Sequence, residues 1–527
     1  MGGVRGAMGS WGGLDPCRLG EAGGWRRTLR WMAALMGSAA LCVSALLLHK
    51  PEDYGLRPDT GRPLPPPPSP RAPARQAPGP ELELAQVPGQ APGQEPGPEP
   101  AQGWKEGTRR LWEALVATVP EQAVLEAWGA EVPSSQALHY EDVRAGAAAV
   151  AGVKGAYQKF LKSMPPYPAG EGKKGSGGGG APAYRGRGVV ITGGVVKYWS
   201  GAVLAFAAAR RSGCNIPGEL WILESEVPRI PPGAREALSR IGVEVRVLPH
   251  YPDHLLGGYR AKVAALLSSS FEEVLFLDSD SIALQDVCQL FEHPTYKEHG
   301  AIFWPDLWPP TPAPELFEIT GWDPEAGLKV THETGQMVIS KKRHWRSLIL
   351  AAHFNLLGPK LYYRFLSDAN GEGDKESFPF AFLLSNETYH LVPGQPDMVG
   401  VHSEITDGDW YLYGLIQRWP DGKKPAFLHA NGFKPSYLNL PDNVPTKGHP
   451  SKYATHHREM LETAGFDVEI FMFKVLRTMR CDADIIRFTL TAQWRTYKDW
   501  CNYMVSWRTL DPLACRPRWK KTLGIPH

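Results

Sequence analysis

Net charge is what this chain has least of: 57 Lys and Arg against 55 Asp and Glu leave +2 over 527 residues. So even a balance argues against a polyanionic partner, and nucleic acid binding has no compositional support. Cysteine is also scarce. Its seven copies nowhere stand at C-x-x-C spacing, which excludes a zinc ribbon and a thioredoxin-type motif. Five lie beyond residue 200. In a secreted or luminal setting Cys481, Cys501 and Cys515 are available to pair; in the cytosol they read as buried thiols, and connectivity does not follow from sequence. The first strand ends without the G-x-G-x-x-G of dinucleotide binders, which disfavours a nicotinamide or flavin enzyme.

Apolar material is plentiful: 43% hydrophobic residues with 18 Trp suffice for a sizeable core. The length exceeds one ordinary domain, although one large α/β domain with unstructured segments also accommodates it. Trp31 to Leu48 is eighteen residues without a formal charge, close to the minimum for a bilayer span. Arg26, Arg27 and Arg30 precede it, so residues 1–30 are expected in the cytoplasm and the remainder across the membrane. A cleaved signal peptide is the main rival and an organellar transit peptide a third reading. No small-x-small site closes the stretch before His49-Lys50, which favours an uncleaved anchor at 31–48.

Residues 49–103 are dominated by Pro, Gly, Gln and Glu and read as a disordered stem. Residues 104–165 are expected to be helical, with Leu111, Leu115 and Val119 four apart, either packed on the main domain or extending the stem. Residues 166–186 contain Gly170 to Gly180 with Lys173 and Lys174. This lacks the Gly-Lys-Ser/Thr ending of a phosphate loop and a preceding strand, so it reads as linker. Residues 187–440 carry the α/β texture, and 441–527 form a helical, aromatic extension with no functional reading.

After Arg187, Gly188-Val189-Val190-Ile191 reads as a buried strand ending in the turn Thr192-Gly193-Gly194. Gly193 serves either a tight turn alone or a close nucleotide approach as well. Val203 to Arg211 is an Ala-rich helix closed by Gly213. Leu220 to Leu223 and Val243 to Leu248 are the next strands, and Tyr259 to Ser268, which includes Lys262, the next helix. Strands alternating with helical patterns imply parallel crossovers and a Rossmann-like sheet. The apolar run Val274 to Leu277 is then a strand buried on both faces, and Asp278-Ser279-Asp280 emerges at its carboxyl end, where open α/β sheets bind ligands. Two carboxylates there repel unless a cation joins them, and a divalent ion carrying a diphosphate suits the position. The same three residues also make ordinary turns and caps.

Much further on stands His429-Ala430-Asn431-Gly432-Phe433-Lys434-Pro435. An imidazole added to two carboxylates gives a mixed oxygen and nitrogen donor set that suits Mn²⁺ and tolerates Mg²⁺. Lys434 is then a point charge for phosphate, and Gly432 permits a sharp turn between them. Asp278-Ser279-Asp280 after a strand, with His429-x-x-Gly432-x-Lys434-Pro435, resembles the GT-A nucleotide-sugar glycosyltransferases of the glycogenin-like type. Glu333-Thr334-Gly335-Gln336-Met337-Val338-Ile339 followed by Lys341, and Gly373-Asp374-Lys375-Glu376-Ser377-Phe378, narrow the likeness to the Golgi α-mannosyltransferases of the fungal type. The likeness spans about Gly188 to Pro435.

The resemblance implies roles residue by residue. Asp278 is expected to touch the nucleotide ribose or support the metal, Asp280 to bind the metal directly, and His429 to be the third protein ligand. Lys434 is the expected diphosphate-binding lysine, with Lys262, Gly193 and Gly432 also at the nucleotide-sugar. Asp374 is expected at the donor sugar's hydroxyls with Lys375 and Glu376 beside it, the alternative being a solvated turn at Gly373-Asp374-Lys375. Gln336 and Glu333 either line the pocket or, for Gln336 through Ser340, form simply a strand with polar edges. The expected activity is a retaining transfer of mannose from GDP-mannose to a glycan or glycoprotein acceptor, with the departing diphosphate neutralised by the ion and Lys434, and Asp374 or Glu376 stabilising the oxocarbenium-like sugar. A glycogenin-like transferase using a UDP-sugar shares every ligand named. A luminal glycan-binding protein on the same fold is the non-enzymatic alternative. The resemblance places the enzyme as a type II Golgi membrane protein with a luminal catalytic domain. Three further features are ambiguous: Trp304, Trp308 and Trp322 suit either acceptor stacking or core packing. Asn386-Glu387-Thr388 is a glycosylation sequon that matters only in the lumen, and His456-His457 reads as solvated.

Overall fold

The computed structural model describes residues 104–119, 145–168, 184–194, 196–230, 232–248, 256–308, 310, 312–324, 328–366, 373–402, 410–432, 434–436 and 454–481. The chain divides into two units, Met1–Glu81 and Leu82–His527, and all described residues belong to the second. The expected anchor at 31–48, the stem at 49–103 and the Gly170 to Gly180 run lie outside them. No helix among the described residues is long and apolar enough to cross a membrane.

The strands are β1 (Arg187–Thr192), β2 (Gly218–Ile222), β3 (Val243–Val247), β4 (Glu273–Leu277), β5 (Ser281–Ala283), β6 (Ala301–Pro305), β7 (His332–Ser340), β8 (His390–Leu391), β9 (Asp397–His402), β10 (Trp410–Arg418) and β11 (Pro425–His429). Seven of them form the main sheet in the order β3-β2-β1-β4-β7-β6-β8. β1 pairs in parallel with both β2 and β4, so the parallel α/β core expected from the helix–strand alternation is present. The sheet is mixed, however, because β7 runs antiparallel to both β4 and β6. Every residue of β7 is buried, and a strand buried on both faces carries no periodicity that reveals its direction. A second, four-stranded antiparallel sheet, β5-β11-β10-β9, was not anticipated.

Alternation along the strands divides the core in two. Val190, Val274, Phe276, Met337 and Ile339 face one hydrophobic cluster, while Val189, Ile191, Leu275, Leu277 and Val338 face the other. This is the period-two pleat of a sheet covered on both sides. The helices Trp104–Val116 and Ala147–Lys162 belong to the first cluster through Leu111, Trp112, Leu115, Val150, Tyr157 and Phe160. Trp112 Nε1 donates to Ser268 Oγ at 2.9 Å, and the Phe160 ring stacks on His353 at 3.9 Å. Of the two readings for the helical region, the described part packs on the main domain. Burial of one such aromatic contributes about 2–3 kcal/mol. In the same way Met460, Val468, Met472 and Leu476 tie residues 454–481 into the second cluster, so part of the extension belongs to the domain core.

The helix Val196–Arg211 starts earlier than its Ala-rich stretch suggested and is almost wholly buried from Trp199 onward. Gly201 on it abuts the turn after β4: a Cβ there would stand 2.5 Å from the Ser279 carbonyl oxygen. Beyond that helix Cys214 is disulfide-bonded to Cys288, 74 residues later. This pairing was not among those anticipated. Cys501 and Cys515 lie outside the described residues. A link across so long a loop restricts the unfolded chain, so Cys288→Ser is expected to lower unfolding free energy by about 2–4 kcal/mol. Denaturant titration of both proteins, with non-reducing peptide mapping, checks this; equal midpoints would disprove it.

Candidate active site

Two backbone contacts build the site around the turn after β4. The Asp278 N–H donates to the Gly335 carbonyl at 2.7 Å, extending the β4–β7 ladder by one step beyond Leu277 opposite Gln336. The Ala430 N–H donates to the Asp280 carbonyl at 2.9 Å, extending the β5–β11 ladder, in which His429 stands opposite Ser281. Register alone therefore brings His429 beside Asp280. Metal-ligating atoms of Asp278, Asp280 and His429 all lie within 4.8 Å of one another. Oxygen and nitrogen ligands held at ~2.0–2.6 Å from a hard divalent ion are at most about 5 Å apart, so the donor set fits such an ion.

Charge packs tightly here. Lys434 Nζ lies 2.6 Å from Asp280 Oδ2, and His429 Nε2 lies 3.5 Å from Asp280 Oδ1. Burial opposes ionisation of Asp280, but His429 and Lys434 outweigh it and hold its carboxyl well below the usual range. Asp278 moves the other way: burial, with Asp280 adding to it against Lys262, pushes its carboxyl up. His429 Nδ1 lies 3.4 Å from Glu333 Oε2. Burial opposes its charge, yet Glu333 and Asp280 raise the imidazole well above its ordinary value. A metal and a proton therefore compete for this ring, since a ligating imidazole must be neutral. Burial works against Glu333 too, but His429 and Lys262 draw it down to about 2. Gly335 leaves room for the ring, because a Cβ there would meet His429 Cε1 at 2.5 Å.

Lys262 is buried between two further acids, 3.3 Å from Asp278 Oδ1 and 3.4 Å from Asp374 Oδ2. Its ammonium also donates to the Thr334 carbonyl and hydroxyl, each at 3.0 Å. Burial, partly offset by Lys262, pushes Asp374 up to about 6. Next to it Lys375 Nζ donates to Asp306 Oδ2 at 2.6 Å, an acid at the end of β6. Glu376 accepts from the His332 N–H at 3.1 Å through one oxygen, and its other oxygen is buried without a hydrogen bond. Burial pushes this carboxyl up to about 8, so it is largely protonated at neutral pH.

The structure thus gathers Asp278, Asp280, His429, Lys434, Lys262, Glu333, Asp374, Lys375 and Glu376 at the carboxyl end of the central strands. Gln336 is buried in β7, accepts from Ser281 Oγ at 3.3 Å, and keeps its amide nitrogen without a hydrogen bond. Gly432 has a packing reason of its own, since a Cβ would meet the Leu412 carbonyl oxygen at 2.5 Å. Gly193 has φ +152 and its Cα faces Tyr198, whose Cβ would stand 2.8 Å from an added methyl. Asp306, His332 and Thr334 were missed by sequence reasoning. For Asp306 the signal was available: it ends an apolar strand just as Asp278 does. His457 pairs with Asp467 at 2.9 Å, away from these residues.

A family model described as "Mannosyltransferase putative" matches residues 186–328 and 323–411. The α-1,2-mannosyltransferase MNN22 of Candida albicans is 27% identical over 305 residues, covering 48% of this chain and 50% of that protein. The α-1,2-mannosyltransferase MNN2 of the same organism is 30% identical over 270 residues, covering 42% and 45%. The chain therefore spans about half the length of the curated relatives it matches. Among solved structures, the glycosyltransferase GlyE of Streptococcus pneumoniae TIGR4 aligns with 16% identity and a TM-score of 0.25, covering 39% of this chain and 45% of that one. So shallow a superposition adds nothing to the sheet order given above.

Glu376 makes a pH-dependent contribution with a definite sign. Its carboxyl rises from 4.5 to about 8 on folding, so between those values the unfolded chain releases a proton that the folded chain keeps. Its effect on stability is nil below that window, grows more unfavourable through it and levels off above. Glu376→Gln is expected to match the wild type near pH 4 and to exceed it at pH 8 by on the order of 2–4 kcal/mol. Urea unfolding at both pH values checks this; parallel stability profiles would refute it.

Proposed function

We propose that this chain is a metal-dependent, retaining α-mannosyltransferase that uses GDP-mannose, because residues 186–328 and 323–411 match a mannosyltransferase family model and fungal α-1,2-mannosyltransferases are among the relatives. The observation that carries the proposal is the convergence of Asp278, Asp280, His429 and Lys434 on one point at the carboxyl end of β4. Asp278, Asp280 and His429 would hold the ion, Mn²⁺ by preference with Mg²⁺ tolerated. When bound, the ion supplies Lewis-acid neutralisation of charge on the departing diphosphate.

The chain's own residues do the rest. Lys434 is about one-third exposed at its side chain while Asp280 beside it is buried, so the ammonium is reachable by a phosphate without leaving its partner. Asp374 and Glu376 were alternative stabilisers of the oxocarbenium-like sugar, and their environments separate them. At neutral pH Asp374 is largely an anion, whereas Glu376 is largely neutral and serves as a hydrogen-bonding group at the start of β7. Asp374 is therefore assigned the electrostatic role. Lys262 fixes Asp374 and Asp278 relative to each other. Burial of the cluster strengthens each of these interactions relative to water.

The Cys214–Cys288 disulfide supports an oxidising compartment, in keeping with a luminal domain behind a type II Golgi anchor at 31–48. Protease protection of the carboxyl-terminal portion in sealed microsomes tests this topology, and digestion without detergent would reject it. Donor identity is tested with a panel of nucleotide sugars, with and without chelator. GDP-mannose is expected to be turned over only with metal; preference for a UDP-sugar would replace the donor assignment. Asp280→Asn is expected to lower metal-dependent transfer on the order of 10²-fold or more with an unchanged circular dichroism spectrum. Full activity with unaltered metal dependence in that variant would defeat the proposal.

A further inference from the structure

A tryptophan is highly buried on average, so one that is open to solvent beside a polar cleft calls for a reason. Of the three tryptophans in the Pro-rich stretch, Trp304 is fully buried in the core and Trp322 is half-buried. Trp308 is 57% exposed. The large exposed aromatic residues among the described ones are Tyr198, Tyr259 and Trp308. Tyr198 lies at the Lys434 end, with the ammonium 5.8 Å from its ring centroid. Tyr259 lies over Gly373, where an added Cβ would be 3.3 Å from the ring. Trp308 stands two residues after Asp306.

The backbone carrying Trp308 is fixed. Its carbonyl accepts from the Thr331 hydroxyl, the Thr331 carbonyl accepts from the Asp306 N–H at 2.9 Å, and the Leu307 N–H donates to Asp306 Oδ1 at 2.7 Å. These contacts lock the segment after β6 to the segment entering β7, so the backbone that carries the indole needs no ordering on binding. Two residues span at most about 7 Å of chain, which keeps Trp308 next to the Asp306–Lys375 pair. Asp306 is buried at its side chain, while Lys375 remains 22% exposed, so one edge of the pair is open to a ligand. Lys375 in turn follows Asp374, the carboxylate assigned to the reacting sugar.

An exposed flat apolar face beside a fixed, half-open pair of donor and acceptor is the chemistry that recognises a neutral pyranose. The indole covers the C–H face of the ring, and the charged pair takes its hydroxyls. We infer that Trp308, with Asp306 and Lys375, forms the subsite for the acceptor sugar, a terminal α-mannoside. The identity of that sugar rests on the proposed function, whereas the pyranose site does not.

The test uses the full chain, Trp308→Ala and Trp308→Phe. α-Mannobiose binding is followed by saturation-transfer NMR, and GDP with Mn²⁺ by calorimetry. Trp308→Ala is expected to weaken mannobiose binding about 10-fold, the equivalent of one stacked aromatic contact, with Trp308→Phe retaining most of the affinity. GDP binding should be the same in all three proteins, which also shows that the variants are folded. In a transfer assay the loss should appear in the acceptor KM. Equal mannobiose affinity in Trp308→Ala overturns the inference, as does a wild type that binds GDP and Mn²⁺ but no mannobiose. A wild type that binds mannobiose in a Trp308-dependent way but no GDP supports the subsite and rejects the transferase reading instead.

Discussion

Like charges buried together must be neutralised, and that constraint organises this domain. Asp278, Asp280, Glu333 and Asp374 crowd one corner of the sheet, and among the described residues Lys262, Lys434 and His429 pair with them. Removing Lys262 would leave the buried Asp374 without its paired cation, a cost of several kcal/mol. The opposite displacements of Asp278 and Asp280 follow from the same crowding: the acid nearer two cations ionises readily, and its neighbour resists. A divalent cation held by Asp278, Asp280 and His429 would relieve the surplus of negative charge there and would displace the proton that His429 otherwise carries.

Close backbone packing holds that corner rigid. Gly201 lets the helix Val196–Arg211 press on the Asp-Ser-Asp turn from below, and Gly335 lets His429 lie flat on β7. Both contacts would be closed by a methyl group. The turn is also hydrogen-bonded to β7 on one side and to β11 on the other, so it cannot shift without disturbing two sheets. Beyond it, the Asp306–Lys375 pair and the buried Glu376 tie the ends of β6 and β7 to the loop that carries Asp374. A site supported in this way keeps its geometry before a ligand arrives, which is what electrostatic stabilisation of a leaving group requires.

Much of the parallel core was legible in the residues. Val189-Val190-Ile191 and Val274 to Leu277 are too apolar and too short for anything but central strands, and the helices between them follow from their spacing. Other elements left no such trace. β7 is buried along its whole length, so its antiparallel direction has no pattern to betray it. β5 is three residues long, too short for alternation to be informative, and β11 is buried at every position, so neither reveals its pairing partner. The helices Trp104–Val116 and Ala147–Lys162 are amphipathic, and such a stripe says that something covers it without saying what. The Cys214–Cys288 pair is separated by 74 residues, and only the folded chain selects it.

Taken by itself, the sequence determined the chemistry available: two carboxylates after a buried strand, an imidazole and a lysine near a later glycine, and a set of acids and aromatics between them. These are local facts, written in residue type and spacing. Tertiary structure alone decided which of them meet. The β5–β11 register placed His429 beside Asp280, the antiparallel β7 placed Glu333 beside His429, and the fold set Lys262 between Asp278 and Asp374. It also left one of three nearby tryptophans in the open. Distances across a sheet are set by hydrogen-bond register and side-chain burial by packing, and neither quantity resides in a linear pattern of residues.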